Sequence, residues 1–354
     1  MRFCFIVEEK YSGERGMLMV VARHLQLQGH VVDVLEPAKT ITCVSDLPRQ
    51  RYDAYVMKTV VDGPGLSLLE AAEASGIPTI NSSRSIRCVR DKTVQTAIAC
   101  AMGLPYPRTY LIVHPRLLEK VPETDYPLVV KPTDGSSGRD ISIVRSRAEL
   151  AHLKTTGSGR GFFLAQHYVE NLGYDIKLYV IGRRVYAIAR KSPLHSEVEV
   201  PCQRIPLKSE WLHLALRVGD IFGLNIYGLD VVATSTGPVV VDINDFPSFG
   251  HVPRAVSRLS NYIIWIARHA RARRGEGLSV SPASRDSDSS GTHPLHAIVG
   301  DRRSWSAADV APTAPVRAAR NTRMFEGVTT QAASMQRRPN GGRVTARAPK
   351  AGRS

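Results

Sequence analysis

The chain has 354 residues, 43% of them hydrophobic and 22% charged, with a formal net charge of +15. This composition supports a sizeable core and excludes a collagen, a coiled coil or a wholly disordered chain. No apolar run approaches the roughly 20 residues of a membrane span. MRFCFIV, followed at once by EEK, is too short for a secretory leader, and five scattered cysteines without a Cys-x-x-Cys point to reduced thiols in the cytoplasm rather than disulfides or a structural zinc site.

In chain order, RFCFIV reads as a buried strand, and the turn YSGERG leads into a helix over residues 17–28. HVVDVLEP and DAYVMK are further strands, GLSLLEAAEASG a helix and IPTIN a strand with a stop. Strands alternating with helices predict a parallel α/β domain over residues 1–85. DKTVQTAIACAMG is a helix opening at Lys92 and ending on a glycine, and LPYPRTY leaves it through prolines. From Tyr126 the texture changes. YPLVVKP, ISIVRS, FFLAQHYV, DIKLYVIG, RVYAIARK, IYGLDVVAT and PVVVDIN are strand-like, an α+β and antiparallel pattern with a hairpin turning at Gly182. EWLHLALRVGDIFG and PRAVSRLSNYIIWIARHARARR are the helices of this half. Domain boundaries are expected at 86–165 and 166–274.

From Gly275 the periodicity stops, and residues 275–354 read as a disordered basic tail. Twelve basic and six acidic residues there leave +6, so the first 274 residues keep +9. A basic folded body favours a polyanionic ligand. The sequence carries no Gly-x4-Gly-Lys phosphate loop, no Gly-x-Gly-x-x-Gly after the first strand and no His-Glu-x-x-His.

Several residues in order carry chemistry. Lys92 opens a helix, and Lys131 ends the strand YPLVVKP before the loop TDGSSGRD. A strand-ending lysine followed by a Gly/Ser loop suits a nucleotide polyphosphate, because the loop's backbone N–H groups approach the oxygens closely. Asp230 sits in the strand YGLDVV, and Asp242 and Asn244 lie two apart, hence on one strand face. Together they offer hard oxygen ligands for Mg²⁺. Asp245 is one residue off and is expected to face away in a structural role. Lys177 and Arg190 lie on strands expected to pair, and Arg190 would neutralise a transferring phosphoryl group.

These residues in this order resemble the ATP-grasp superfamily over residues 81–268. The resemblance implies an α/β N-terminal domain followed by a two-lobed α+β ATP-grasp fold, with ATP and two Mg²⁺ ions (Mn²⁺ as an alternative) between the lobes. Lys92 and Lys131 would contact ATP phosphates, Gly135, Ser136, Ser137 and Gly138 would form the lid, and Gln166, His167, Tyr168 and Val169 the hinge at the adenine. Arg190 would touch the γ-phosphate, and Asp230, Asp242 and Asn244 would hold the metal. The lid and the order DIK…VIGRRVYAIAR look like RimK-type ligases, which join an amine to a carboxylate through an acyl phosphate. The variants Asp242-Ile243-Asn244 and Asp175-Ile176-Lys177, with Arg190–Ser192, look more like the inositol polyphosphate kinases of the same superfamily, although Arg139 stands where those carry a lid histidine. In that reading Lys177 and Ser192 join the ligand-binding set. Three functions follow: a ligase acting on a small-molecule or peptide carboxylate, a kinase of a polyol phosphate, and an ATP-binding protein without catalysis. Neither a membrane nor a nucleic acid is an expected partner, and the sequence carries no signature of oligomeric state.

Overall fold

The computed structural model describes Met1 to Gly277 apart from residues 9–10, 12, 14–15, 60–62, 134–140, 153–161, 172 and 196–199. The GSSG stretch, Arg139 and residues 278–354 of the expected tail therefore lie outside the described residues.

The first layer alternates β1 (Arg2–Val7), α1 (Met17–Leu27), β2 (Val31–Leu35), β3 (Ala54–Lys58), α2 (Pro64–Ala74) and β4 (Thr79–Ile80). The strands form a parallel sheet in the order β2-β1-β3-β4. RFCFIV is continuously apolar because both of its faces are covered. Phe3, Phe5 and Val7 join the core with Leu18, Val21 and Leu25 of α1. Cys4 and Ile6 join Leu66, Leu69 and Ala72 of α2.

Two helices lead out of this sheet, α3 (Ser83–Arg90) and α4 (Lys92–Ala101). Each begins on a side-chain cap, which satisfies N–H groups that have no partner within the helix. Ser82 accepts from the Ser85 N–H, and Asp91 accepts from those of Thr93 and Val94. The second cap fixes Lys92 as the first residue of α4. The sequence reading did not anticipate α3, whose segment SRSIRCVR is mostly serine and arginine. Ser83, Ser85, Ile86 and Val89 are nevertheless its buried positions.

The second sheet holds β5 (Thr109–Ile112), β6 (Leu128–Pro132), β7 (Ser142–Val144) and β8 (Phe163–His167), antiparallel in the order β5-β8-β6-β7. Leu128, Val130, Val144 and Ala165 line the face that packs on Leu118 and Val121. Lys131 and Gln166 alternate with these residues and so belong to the opposite face. The third sheet holds β9 (Tyr174–Ile181), β10 (Arg184–Lys191), β11 (Gln203–Ile205), β12 (Ile226–Thr234) and β13 (Gly237–Asn244), antiparallel in the order β11-β10-β9-β12-β13. Gly182 turns the β9–β10 hairpin with φ 62°, a left-handed conformation that favours glycine.

One face of the third sheet is covered by α5 (Ser209–Phe222), whose Trp211, Leu214, Ala215, Val218 and Phe222 recur at helical spacing and pack on Ile176, Leu178, Leu229 and Val240. Part of the other face packs against α6 (Ala255–Gly277), with Tyr179, Ile188 and Ile226 in one core with Leu259 and Ile263. That helix runs through the expected start of the tail. None of the described helices is long and apolar enough to cross a membrane.

The α5 contact is tight at Gly219. A Cβ there would stand 2.2 Å from the Tyr227 hydroxyl and 2.8 Å from its ring carbon. Tyr227 is buried and donates to the Ala215 carbonyl at 2.7 Å, so it has no room to retreat. Gly219→Ala is expected to cost about 1–3 kcal/mol through overpacking, read as a lower urea midpoint. An unchanged midpoint would show that the helix can shift outward.

Candidate active site

The part of the third sheet left open by α6 carries the polar groups, and a bulge puts them there. Asp230 on β12 pairs with Asp242 on β13, but the next pair is Val231 with Val240, which leaves Val241 as an extra residue. A bulge inserts one residue and shifts the alternation of faces. Val240 and Ile243 both lie in the α5 core, although three residues apart. Asp242 and Asn244 thereby fall on the face away from that core. Lys177 pairs with Asp230 from the other side, so Lys177, Asp230 and Asp242 form one row across three strands.

Two lysines from other elements converge on this row. Lys92 of α4 donates to Asp242 Oδ1, and at 3.2 Å to the Ile243 carbonyl. Lys131 at the end of β6 donates to the carbonyl of the bulged Val241 at 3.3 Å. Burial pushes the Lys131 ammonium below its ordinary value, with Asp242 acting against that shift. For the Asp242 carboxyl, burial works upward, but Lys92, Lys131 and Lys177 outweigh it and hold the group below the usual carboxylate range. Asp242 is therefore anionic at neutral pH.

The other end of the row is a network. Lys177 Nζ lies 2.8 Å from Asp230 Oδ1, and Arg190 of β10 reaches the same oxygen at 3.1 Å and Asp175 at 3.5 Å. Burial raises the Asp175 carboxyl, while Arg190 and the buried Ser192 hydroxyl pull it down. Lys177 and Arg190 thus meet on one face as the pairing predicted, but Asp230 is already committed to both.

The expected hinge lies at the end of β8. The Gln166 side chain is buried and donates to Thr109 Oγ1 at 3.1 Å. The N–H groups of His167 and Tyr168 donate to the carbonyls of Arg108 and Pro127, each at 2.8 Å. Contacts from this segment to a base must therefore use its other backbone groups. The Val169 carbonyl accepts from Asn171 at 2.9 Å, and the Tyr168 hydroxyl meets His195 Nε2 at 2.9 Å. The lid residues Gly135, Ser136, Ser137 and Gly138 lie outside the described residues.

Other residues hold the site together that the sequence reading did not single out. Gln95 of α4 is fully buried and donates to the carbonyls of Val89 and Ile243, at 2.6 and 3.0 Å, while accepting from Tyr106 at 2.8 Å. Asn81 has every polar hydrogen-bonding role filled across to the third sheet. It donates to the carbonyls of Ile226 and Asp245 and accepts from the N–H groups of Asn225 and Ile226, all within 2.9 Å. Asp245 faces away from the row, as expected, and is gripped by Arg90 through both oxygens, at 3.3 and 3.0 Å. A buried Asn or Arg has no local sequence signature, because its partners lie about 150 residues away.

The donor set fits a hard divalent cation. Asp242 and Asn244 stand side by side, with Asn244 Nδ2 3.3 Å from Asp242 Oδ2, and both offer oxygen. Mg²⁺ is commonly held by one or two carboxylates together with substrate phosphates. Among the described residues no three His, Cys, Asp or Glu side chains converge as a metal site. The protein's share is therefore small, with Asp230 as a further oxygen only if Lys177 and Arg190 release it.

Residues 89–257 match the RimK-like ATP-grasp domain family. The chain is 24% identical over 257 residues to a probable alpha-L-glutamate ligase of Vibrio vulnificus strain YJ016, spanning 66% of this chain and 84% of that protein. Among solved structures, the ATP-grasp ligase PsnB in complex with precursor peptide PsnA2 and AMPPNP superposes with a TM-score of 0.58 at 18% identity, over 75% of this chain and 97% of that one. A D-alanine–D-alanine ligase of Bacillus anthracis superposes with a TM-score of 0.58 at 18% identity, over 78% and 100%. The last two likenesses are likenesses of fold.

Proposed function

We propose that this chain, whose residues 89–257 match the RimK-like ATP-grasp domain family, is an ADP-forming ligase that joins the amine of an amino acid to a carboxylate. The observation that carries this reading is the convergence, within that domain, of Lys92, Lys131, Lys177 and Arg190 on the row containing Asp230, Asp242 and Asn244. Such a face suits ATP because its cations are already gathered around one row of carboxylates, from which a more anionic ligand can draw them.

The roles follow from position. Lys92 and Lys131 flank Asp242 and would take the phosphate oxygens. Asp242 and Asn244 would hold Mg²⁺, which would neutralise phosphate charge there. A carboxylate oxygen of the acceptor attacks the γ-phosphorus, the bond to the β-phosphate oxygen breaks, and ADP leaves with an acyl phosphate formed. Arg190 would balance the charge that spreads over the transferring group. The amine then attacks the acyl carbon, loses a proton, and releases phosphate with the former carboxylate oxygen. The names of the relatives make L-glutamate the first amine to test, and a carboxylate on a peptide or small molecule the first acceptor. The relatives described above are ligases, and the kinase reading receives no support from them.

The test is an ATP-consumption screen with Mg²⁺, amino acids and carboxylate acceptors, with mass spectrometry of every product. A product equal to the two substrates less water, with ADP and free phosphate, supports the ligase. A product heavier by one phosphoryl group, without free phosphate, overturns it. A second prediction concerns binding. Lys131→Met keeps the stem and removes the charge, so affinity for a non-hydrolysable ATP analogue should fall roughly ten- to 100-fold, the worth of one charged hydrogen bond. Unchanged affinity by calorimetry would remove Lys131 from the nucleotide site.

A further inference from the structure

Among the described residues, most cations of this region have a carboxylate partner. Lys92 faces Asp242, Lys177 faces Asp230, Arg90 faces Asp245, and Arg190 faces both Asp175 and Asp230. Lys131 lacks an ion pair and has been given to the nucleotide. Lys58 also lacks one, and nothing in the proposed reaction uses it.

Lys58 is the last residue of β3, at the carboxyl edge of the parallel sheet. Ligands of open α/β sheets bind outside that edge. Its ammonium donates to the Phe246 carbonyl, two residues beyond Asn244. It lies 5.1 Å from the centre of the Tyr11 ring and 5.5 Å from that of Phe246. The charged groups that face it are Glu8 at the end of β1, Arg90 on α3, Lys177 on β9 and Asp245 after β13. Burial lowers the ammonium to about 8, and Arg90 and Lys177 push the same way, while Asp245 and Glu8 act against them. Asp245 is already engaged by Arg90. An apolar side chain would suit this strand end better, because even a half-buried charge without a close counter-ion is costly. An ammonium with three donors and one protein acceptor retains two donors for something else.

We propose that Lys58 docks an anionic group of the substrate, a carboxylate or a phosphate, distinct from the carboxylate that reacts. This rests on the ligase reading. The location separates it from the nucleotide: Lys92 and Lys131 stand around Asp242, whereas Lys58 reaches the loop beyond Asn244 from the first sheet. Its link to the reacting region is Lys177, whose charge is felt at Lys58 and which holds Asp230. The substrate class is therefore one with a second anion, such as an amino acid with a free α-carboxylate or an acceptor with a further acidic group.

The experiment uses the full chain with ATP, Mg²⁺ and matched substrate pairs. Each amino acid is offered with its α-amide, and each acceptor with and without a second carboxylate or a phosphate. The wild type should prefer the anion-bearing member of one pair by roughly tenfold or more in kcat/KM, and the pair that shows the preference identifies the anion. Lys58→Met should remove that preference, mainly through KM, while ATP-analogue affinity stays within twofold. Lys58→Arg should restore it. The wild-type preference should also fade as pH rises through about 8, where the free ammonium loses its proton. A Lys58→Met enzyme that keeps the preference overturns the proposal, as does a wild type without preference in any pair, which needs no variant to fold. A wild type that forms no ADP with any pair overturns the ligase reading itself, and the proposal with it.

Discussion

Asp242→Asn should lower ATP turnover on the order of 1,000-fold, because several kcal/mol of charge stabilisation reside in the metal that this carboxylate would hold and each 1.36 kcal/mol is a factor of ten in rate. The substitution keeps the shape of the side chain and an oxygen that can accept from Lys92. The fold should therefore survive as one cooperative urea transition, at a midpoint lowered by the lost ion pair. The charge is what disappears, and with it the anion that Lys92, Lys131 and Lys177 hold deprotonated. Turnover is read as ADP formed under saturating substrates. A rate within tenfold of the wild type would show that Asp242 is only a counter-ion to the lysines.

The second large effect is on stability. Arg90→Met should cost roughly 3–5 kcal/mol, the usual consequence of removing one partner of a buried pair. Arg90 and Asp245 keep only 9% and 14% of their side-chain surface exposed. Arg90 also donates to the Thr59 carbonyl at 2.7 Å, so its removal orphans a second acceptor. The variant is read by urea denaturation. A double variant, Arg90→Met with Asp245→Leu, should recover much of the loss, because the uncompensated charge is gone. A loss below about 1 kcal/mol in the single variant would mean that water reaches the pair and screens it.

Much of the fold was legible because its strands bury whole faces. RFCFIV and AYVMK are continuous apolar runs, and a parallel sheet covered on both sides demands that pattern. The β9–β10 hairpin was legible from Gly182. Helix α3 was not, because two of its serines are buried by partners outside the helix: the Ser83 side chain and N–H meet Glu73, and Ser85 donates to the Gly223 carbonyl. The candidate set was legible as residue types in order, and Lys92, Lys131, Lys177, Arg190, Asp230, Asp242 and Asn244 lie together in the structure. Its aim was not. Alternation places Val240 and Asp242 on the same face, and only the extra residue Val241 puts one in the core and the other in the site. A bulge has no reliable sequence signal in a run of valines. The sequence also treats Arg190 and Lys177 as open clamps, whereas both are held by Asp230 until a more anionic ligand competes for them. Lys58 was read only as the end of a strand, because its meaning comes from Phe246, 188 residues away.

The central claim is that a carboxylate is activated as an acyl phosphate and then taken by an amine. Tracing oxygen tests this most directly. An acceptor labelled with ¹⁸O in both carboxylate oxygens is turned over with ATP, Mg²⁺ and the amine, and the phosphate and product are weighed by mass spectrometry. The account predicts one ¹⁸O in the released phosphate and the other in the new amide. Unlabelled phosphate, with both labels kept on the acceptor, would contradict it.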